Sequence, residues 1–144
     1  MRKSLSGTGL SYKENYVSAI MADTKNTISS SISDYFVFPT LRFNASKEYS
    51  RGKTVSKMKD FISFIQENRY VAVMGESNSG KTTLLKMVFK ELQMQYVVLY
   101  CGTDDITGRS QDNILKELVT DTYGADAYSL FQAIPAEKKV IIID

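Results

Sequence analysis

The chain has 144 residues and a net charge of +2, and 43% of its residues are hydrophobic, which is enough to fill the core of one domain. It has no His and a single Cys, which excludes His/Cys zinc sites, His-based catalytic triads and an internal disulfide framework. No apolar run reaches the ~18 residues of a membrane helix, and no secretory signal follows Met1. These observations predict a cytoplasmic protein without a membrane partner, and the nearly balanced charge argues against nucleic acid as a partner.

The first 35 residues are rich in serine and contain few apolar groupings. They are predicted to be a flexible lead-in or the end of an upstream domain, with one weak helix around residues 15–22. The aromatic run from Tyr35 to Pro39 predicts an edge strand or an extended segment that lies on the following domain. One domain is therefore expected over residues 36–144.

Helical and strand patterns alternate through that domain. A helix capped by Thr54 is expected to end near residues 67–68, and a short buried strand is expected over residues 70–74. The later elements are a helix over 81–93, a strand over 96–101, helices over 110–124 and 126–133, and a strand over 140–144. Because strands alternate with helices, the predicted fold class is α/β with a parallel sheet.

A phosphate-binding loop, the P-loop or Walker A motif, is predicted between the first of these strands and the helix that follows it. The pattern G-x-x-x-x-G-K-T and one further threonine consist of Gly75, Glu76, Ser77, Asn78, Ser79, Gly80, Lys81, Thr82 and Thr83. Its glycines let successive N–H groups face phosphate oxygens, and the helix dipole favours the same anion. Lys81 is expected to act catalytically by reaching the β- and γ-phosphates, and Thr82 to bind Mg²⁺. The four fixed positions match by chance in about half a percent of chains of this length.

The last predicted strand ends in Asp144, an arrangement typical of the Walker B motif, whose carboxylate holds Mg²⁺ through water. Asp144 is therefore predicted to be the second metal-site residue and a catalytic residue. The remaining strands of such a sheet and the water-polarising acid would follow Asp144. The domain is accordingly expected to be incomplete, with a gap in its sheet, low stability by itself and inefficient hydrolysis.

With both Walker motifs in place, residues 36–144 resemble the amino-terminal half of a STAND-type P-loop NTPase, a relative of the AAA+, NACHT and NB-ARC modules. Residues 36–41 and 50–53 also resemble segments that precede such modules, although Arg51 and Gly52 stand in the reverse of the usual order and the usual Glu is absent. The resemblance implies a three-layer sandwich that stops after the Walker B strand. It also implies Mg²⁺ and ATP as cofactors, a homo-oligomer, protein partners bound through other regions, and a signalling switch, for example in bacterial defence.

Two alternatives remain open. One is a recombinase- or helicase-loader-type ATPase that acts on nucleic acid, and the other is a nucleotide-binding scaffold that never hydrolyses its nucleotide.

Three residues after the second strand and at its end are also candidates for a role. Asp104 and Asp105 either contact Mg²⁺ or cap a loop, with the cap favoured, and Cys101 is expected to be a small core residue.

Overall fold

The computed structural model describes residues 7–22, 31–42 and 54–144. Two short 3₁₀ turns accompany the helices and strands. In chain order, the elements are α1 (Tyr16–Met21), β1 (Leu41–Arg42), β2 (Thr54–Val55), α2 (Met58–Glu67), α3 (Lys81–Leu92), β3 (Val97–Cys101), α4 (Thr103–Ile106), α5 (Gln111–Tyr123), α6 (Ala127–Ala133) and β4 (Lys139–Ile143).

A parallel pair of strands lies at the centre of the fold. β3 and β4 pair in register from Val97 opposite Lys139 to Cys101 opposite Ile143, and the chain between them forms α4, α5 and α6. β3 is buried almost throughout, whereas Ile141 and Ile143 of β4 are about half exposed. The single connection between these two strands is helical, as a parallel pair requires. The predicted α/β class is confirmed, with a small parallel sheet of two strands in the described residues.

The helix after the P-loop packs its apolar face against β3. Leu84, Val88 and Leu92 recur at helical spacing and are almost completely buried, and Phe89 is 0% exposed. Complete burial of side chains of this size contributes roughly 1.5–3 kcal/mol each. The start of α3, and with it the P-loop lysine, is thereby fixed relative to the carboxyl end of β3.

The amino-terminal segment packs on the same core. The rings of Tyr12 and Tyr16 are stacked 5.9 Å apart, and Tyr12 also contacts Phe89 edge-to-face. Lys13 N donates a hydrogen bond to the carbonyl of Thr122 in α5. The weak helix predicted around residues 15–22 is present as α1. The described part of the predicted lead-in therefore belongs to the same packed unit as α3 and β3.

The strand predicted over residues 70–74 is wrong, because the structure assigns no strand there. Tyr70 and Met74 are 82% and 74% exposed, while Val71 and Val73 pack against the core. In the described part of the chain, residues 70–74 form no backbone hydrogen bond with β3 or β4. A short apolar run forms a strand only when a neighbouring strand pairs with it, so the pattern alone is insufficient.

The helix predicted to begin at Thr54 begins later, at Met58, and the expected cap is wrong. Thr54 and Val55 instead pair antiparallel with Arg42 and Leu41, so this stretch is used as a strand. The end predicted near residues 67–68 is confirmed.

The aromatic run before β1 does not form the edge strand that was one of its two interpretations. Phe36 and Phe38 lie edge-to-face, with ring centroids 6.4 Å apart, and both are packed against the core. The other interpretation, a segment that lies on the domain, is confirmed. Residues 50–53, which carry part of the family resemblance, lie outside the described residues.

Within the described ranges, no helix combines the length and apolar character needed to cross a membrane.

Candidate phosphate-binding site

The predicted P-loop forms a tight turn that leads directly into α3. Ser79 N donates to the carbonyl of Glu76 at 3.2 Å, and Asn78 and Gly80 both adopt left-handed backbone conformations, with φ of 61° and 84°. Glycine adopts this conformation without steric cost, and asparagine is among the few other residues that tolerate it. At Gly75 a Cβ atom would lie 2.8 Å from Ser79 Oγ, which is closer than real Cβ contacts. Gly80 thus has a backbone reason to be glycine, whereas at Gly75 the Ser79 hydroxyl would have to rotate to make room.

Lys81 occupies the centre of this turn. Its Nζ donates to the carbonyl of Gly75 at 3.0 Å, to the carbonyl of Glu76 at 2.6 Å and towards Ser79 Oγ at 3.4 Å. The loop therefore curves around the ammonium group, and all three of its donors face loop oxygens. A phosphate placed in the loop would supply a full negative charge in exchange for these neutral acceptors.

The beginning of α3 presents further groups that suit an anion. The first N–H groups of a helix have no intrahelical acceptor, and here the N-cap residue, Gly80, has no side chain to satisfy them. The first turn of α3 contains no acidic residue, and Ser77 and Asn78 at the loop tip are exposed. The first turn of α3 therefore offers no acidic side chain of its own to the positive end of the helix dipole.

The structure brings Thr82 and Asp144 into direct contact, although 62 positions separate them in the sequence. Thr82 Oγ1 donates to Asp144 Oδ1 at 3.0 Å. The backbone of Asp144 continues the parallel pairing one residue beyond β4, because its N–H donates to the carbonyl of Cys101 and its carbonyl accepts from Thr103 N. The two residues predicted to share a metal site are thus held beside each other by α3 and the sheet.

Tyr100 is a site residue that the sequence analysis missed. Its hydroxyl donates to Asp144 Oδ2 at 2.8 Å. Burial, followed by the hydrogen bond to Asp144, raises the pKa of Tyr100 well above its usual value, so the hydroxyl remains protonated and keeps donating. The only signal in the sequence is its position near the carboxyl end of β3. In a parallel sheet this end lies beside the carboxyl end of β4, where Asp144 was expected.

The remaining predicted residues are placed as follows. Thr83 is half-buried in the first turn of α3. Asp105 Oδ2 accepts from Gly102 N at 2.7 Å, so the loop-cap interpretation of Asp105 is confirmed. Cys101 is buried and donates to the carbonyl of Ile142, which confirms it as a small core residue, and burial raises the pKa of its thiol.

Among the described residues, no cluster of three or more His, Cys, Asp or Glu side chains could enclose a metal ion. Mg²⁺ in nucleotide sites does not need one, because it is bound through one or two protein oxygens together with phosphates and water. The adjacent hydroxyl of Thr82 and carboxylate of Asp144 are a donor set of this kind, so the residues present fit the metal.

Comparison of the chain with protein-family models, with curated proteins and with solved structures gives no match. The interpretation of the site therefore rests on the residues of this chain.

Proposed function

We propose that residues 75–83 bind the phosphates of Mg²⁺·ATP and that the chain acts as a nucleotide-dependent signalling switch of the P-loop NTPase type. The observation that carries this proposal is the hydrogen bond between Thr82 and Asp144 beside a loop that surrounds the ammonium group of Lys81. The motif predicts both features, and a Gly/Ser turn without a ligand requires neither.

Different residues of the site would bind the phosphates and the metal ion. The ammonium group of Lys81 exchanges loop carbonyls for phosphate oxygens, and the free N–H groups at the start of α3 donate to the same anion. Thr82 and Asp144 provide the protein oxygens for Mg²⁺, which when bound neutralises phosphate charge. Hydrolysis needs in addition a group that orients water, so binding and hydrolysis are separable properties of this site.

The same site contains a means of switching. In the structure, Thr82 is hydrogen-bonded to Asp144 and Lys81 to its own loop. A bound phosphate would draw Lys81 away from the loop carbonyls, and the bond between Thr82 and Asp144 would link that change to the carboxyl end of the sheet. The resemblance to STAND proteins supports a further part of the proposal. The domain would be a three-layer NTPase sandwich that assembles into a homo-oligomer, and protein partners would bind through other regions.

The proposal is tested by measuring the affinity for a fluorescent ATP analogue with Mg²⁺ and with EDTA. We expect Mg²⁺ to tighten binding about tenfold, equivalent to about 1.4 kcal/mol. Thr82→Ala and Asp144→Asn should each remove most of that gain, because each removes a proposed metal ligand. Neither should weaken Mg²⁺-free binding by more than about twofold, and Asp144→Asn removes a negative charge that would repel phosphate. A parallel series with a GTP analogue determines whether the site prefers adenine.

The matched control is Thr120→Ala, which removes a hydroxyl that donates to the carbonyl of Lys116 within α5. This variant should keep the full effect of Mg²⁺. A folded wild-type chain that binds neither analogue, or whose affinity is the same in EDTA, would contradict the proposal.

A further inference from the structure

Asp144 accepts two side-chain hydrogen bonds, one on each carboxylate oxygen. Thr82 Oγ1 lies 3.0 Å from Oδ1, and Tyr100 OH lies 2.8 Å from Oδ2. Together with its fixed backbone, these contacts define one orientation of the carboxylate. The two donors differ in their roles. The hydroxyl of Thr82 is itself a proposed metal ligand, since its lone pairs could bind Mg²⁺ while its proton is donated to Asp144, whereas Tyr100 would act on the carboxylate alone.

The ring of Tyr100 is well placed to keep its hydroxyl in position. It packs edge-to-face against Phe89 of α3, with centroids 6.1 Å apart, and Phe89 is completely buried. Its backbone is fixed in β3 opposite Ile142, and its carbonyl accepts a long hydrogen bond from the hydroxyl of Tyr16. The phenol therefore approaches Asp144 from a rigid support that includes the P-loop helix itself.

We infer that Tyr100 is a positioning residue that holds the carboxylate of Asp144 in the orientation needed for Mg²⁺. This inference rests on the proposed function of the site. It assigns to β3 a part in metal binding that lies outside both Walker motifs. A tyrosine hydroxyl suits this task because it donates one directed hydrogen bond and carries no charge that would repel the metal.

The test is Tyr100→Phe, which removes one oxygen atom and keeps the ring against Phe89. Loss of one hydrogen bond to a carboxylate should reduce the gain in ATP-analogue affinity produced by Mg²⁺ about fivefold, while affinity in EDTA stays the same. The ratio of the two affinities is the informative quantity, because general damage to the fold would weaken binding in both conditions alike. In an Asp144→Asn background, Tyr100→Phe should produce no further loss, because the acceptor that it positions is already altered.

Tyr123→Phe is the matched control. Tyr123 belongs to the same aromatic cluster and its hydroxyl donates to the carbonyl of Val98 at 2.9 Å, away from Asp144. Removing this hydroxyl should lower the free energy of unfolding without changing the ratio of affinity with Mg²⁺ to affinity in EDTA. If the wild-type chain shows the Mg²⁺ effect and Tyr100→Phe has the same ratio of affinity with Mg²⁺ to affinity in EDTA, the inference is overturned and the proposed function stays intact. A wild-type chain without any Mg²⁺ effect would overturn both.

Discussion

Lys81→Ala is expected to lower the affinity for Mg²⁺·ATP about 100-fold, the largest effect of any single substitution in the loop. The ammonium group is the one full positive charge at the centre of the turn, and its hydrogen bonds to loop oxygens show that it reaches the space that the loop encloses. Hydrogen bonds between charged groups contribute about 1.5–3 kcal/mol, and the upper part of that range corresponds to this loss. Equilibrium titration with a fluorescent ATP analogue measures it.

Lys90→Ala is the control for this experiment, since Lys90 is an exposed lysine in the last turn of the same helix. It should leave nucleotide affinity within about twofold of the wild type, because its charge is far along α3 from the loop. Lys81→Ala removes hydrogen bonds within an exposed loop, so denaturant unfolding should show a loss of about 1 kcal/mol, which is too little to unfold the chain. Equal affinities of the two lysine variants would show that the loop does not bind phosphate.

Phe89→Ala is expected to lower the free energy of unfolding by about 3–5 kcal/mol. Phe89 is 0% exposed and its ring contacts Tyr12, Tyr16 and Tyr100 edge-to-face, so truncation leaves a cavity between α3, β3 and the amino-terminal segment. Single domains are stable by only about 5–15 kcal/mol, so a loss of this size removes a large share of the total. Urea unfolding followed by circular dichroism measures the change.

Leu130→Ala tests whether the loss is specific to the core. Leu130 is 46% exposed on α6, and its truncation should cost under about 1 kcal/mol. If Phe89→Ala cost no more than Leu130→Ala, the amino-terminal segment would not pack on α3 as the structure shows.

The helix after the P-loop and the two paired strands could be predicted from the sequence because their signals are local. The helical spacing of Leu84 and Val88 identifies α3, and the continuous apolar runs ending near Cys101 and Asp144 identify β3 and β4. The turn before α3 could also be located from the sequence, because Gly80 precedes the helix and Lys81 begins it, as the motif predicts. That this turn binds phosphate stays a prediction.

Features that depend on distant partners were not accessible in this way. The apolar run over residues 70–74 is typical of a buried strand, but strand formation needs a neighbour, and none of the described strands pairs with it. Tyr12 and Tyr16 lie in a serine-rich stretch whose composition conceals their packing on Phe89. The contact of Tyr100 with Asp144 depends on strand register, which single-sequence patterns do not encode.

The most direct test of the central claim, that residues 75–83 bind the phosphates of a nucleotide, is a titration of the ¹⁵N-labelled chain with Mg²⁺·ATP followed by NMR of its backbone amides. The amides of residues 76–83 surround the proposed phosphate position, so they should shift most, while those of α5 and α6 move little. The same shifts should be absent from Lys81→Ala. Amide shifts centred on another part of the chain, or a spectrum of the folded chain that ATP leaves unchanged, would contradict the claim.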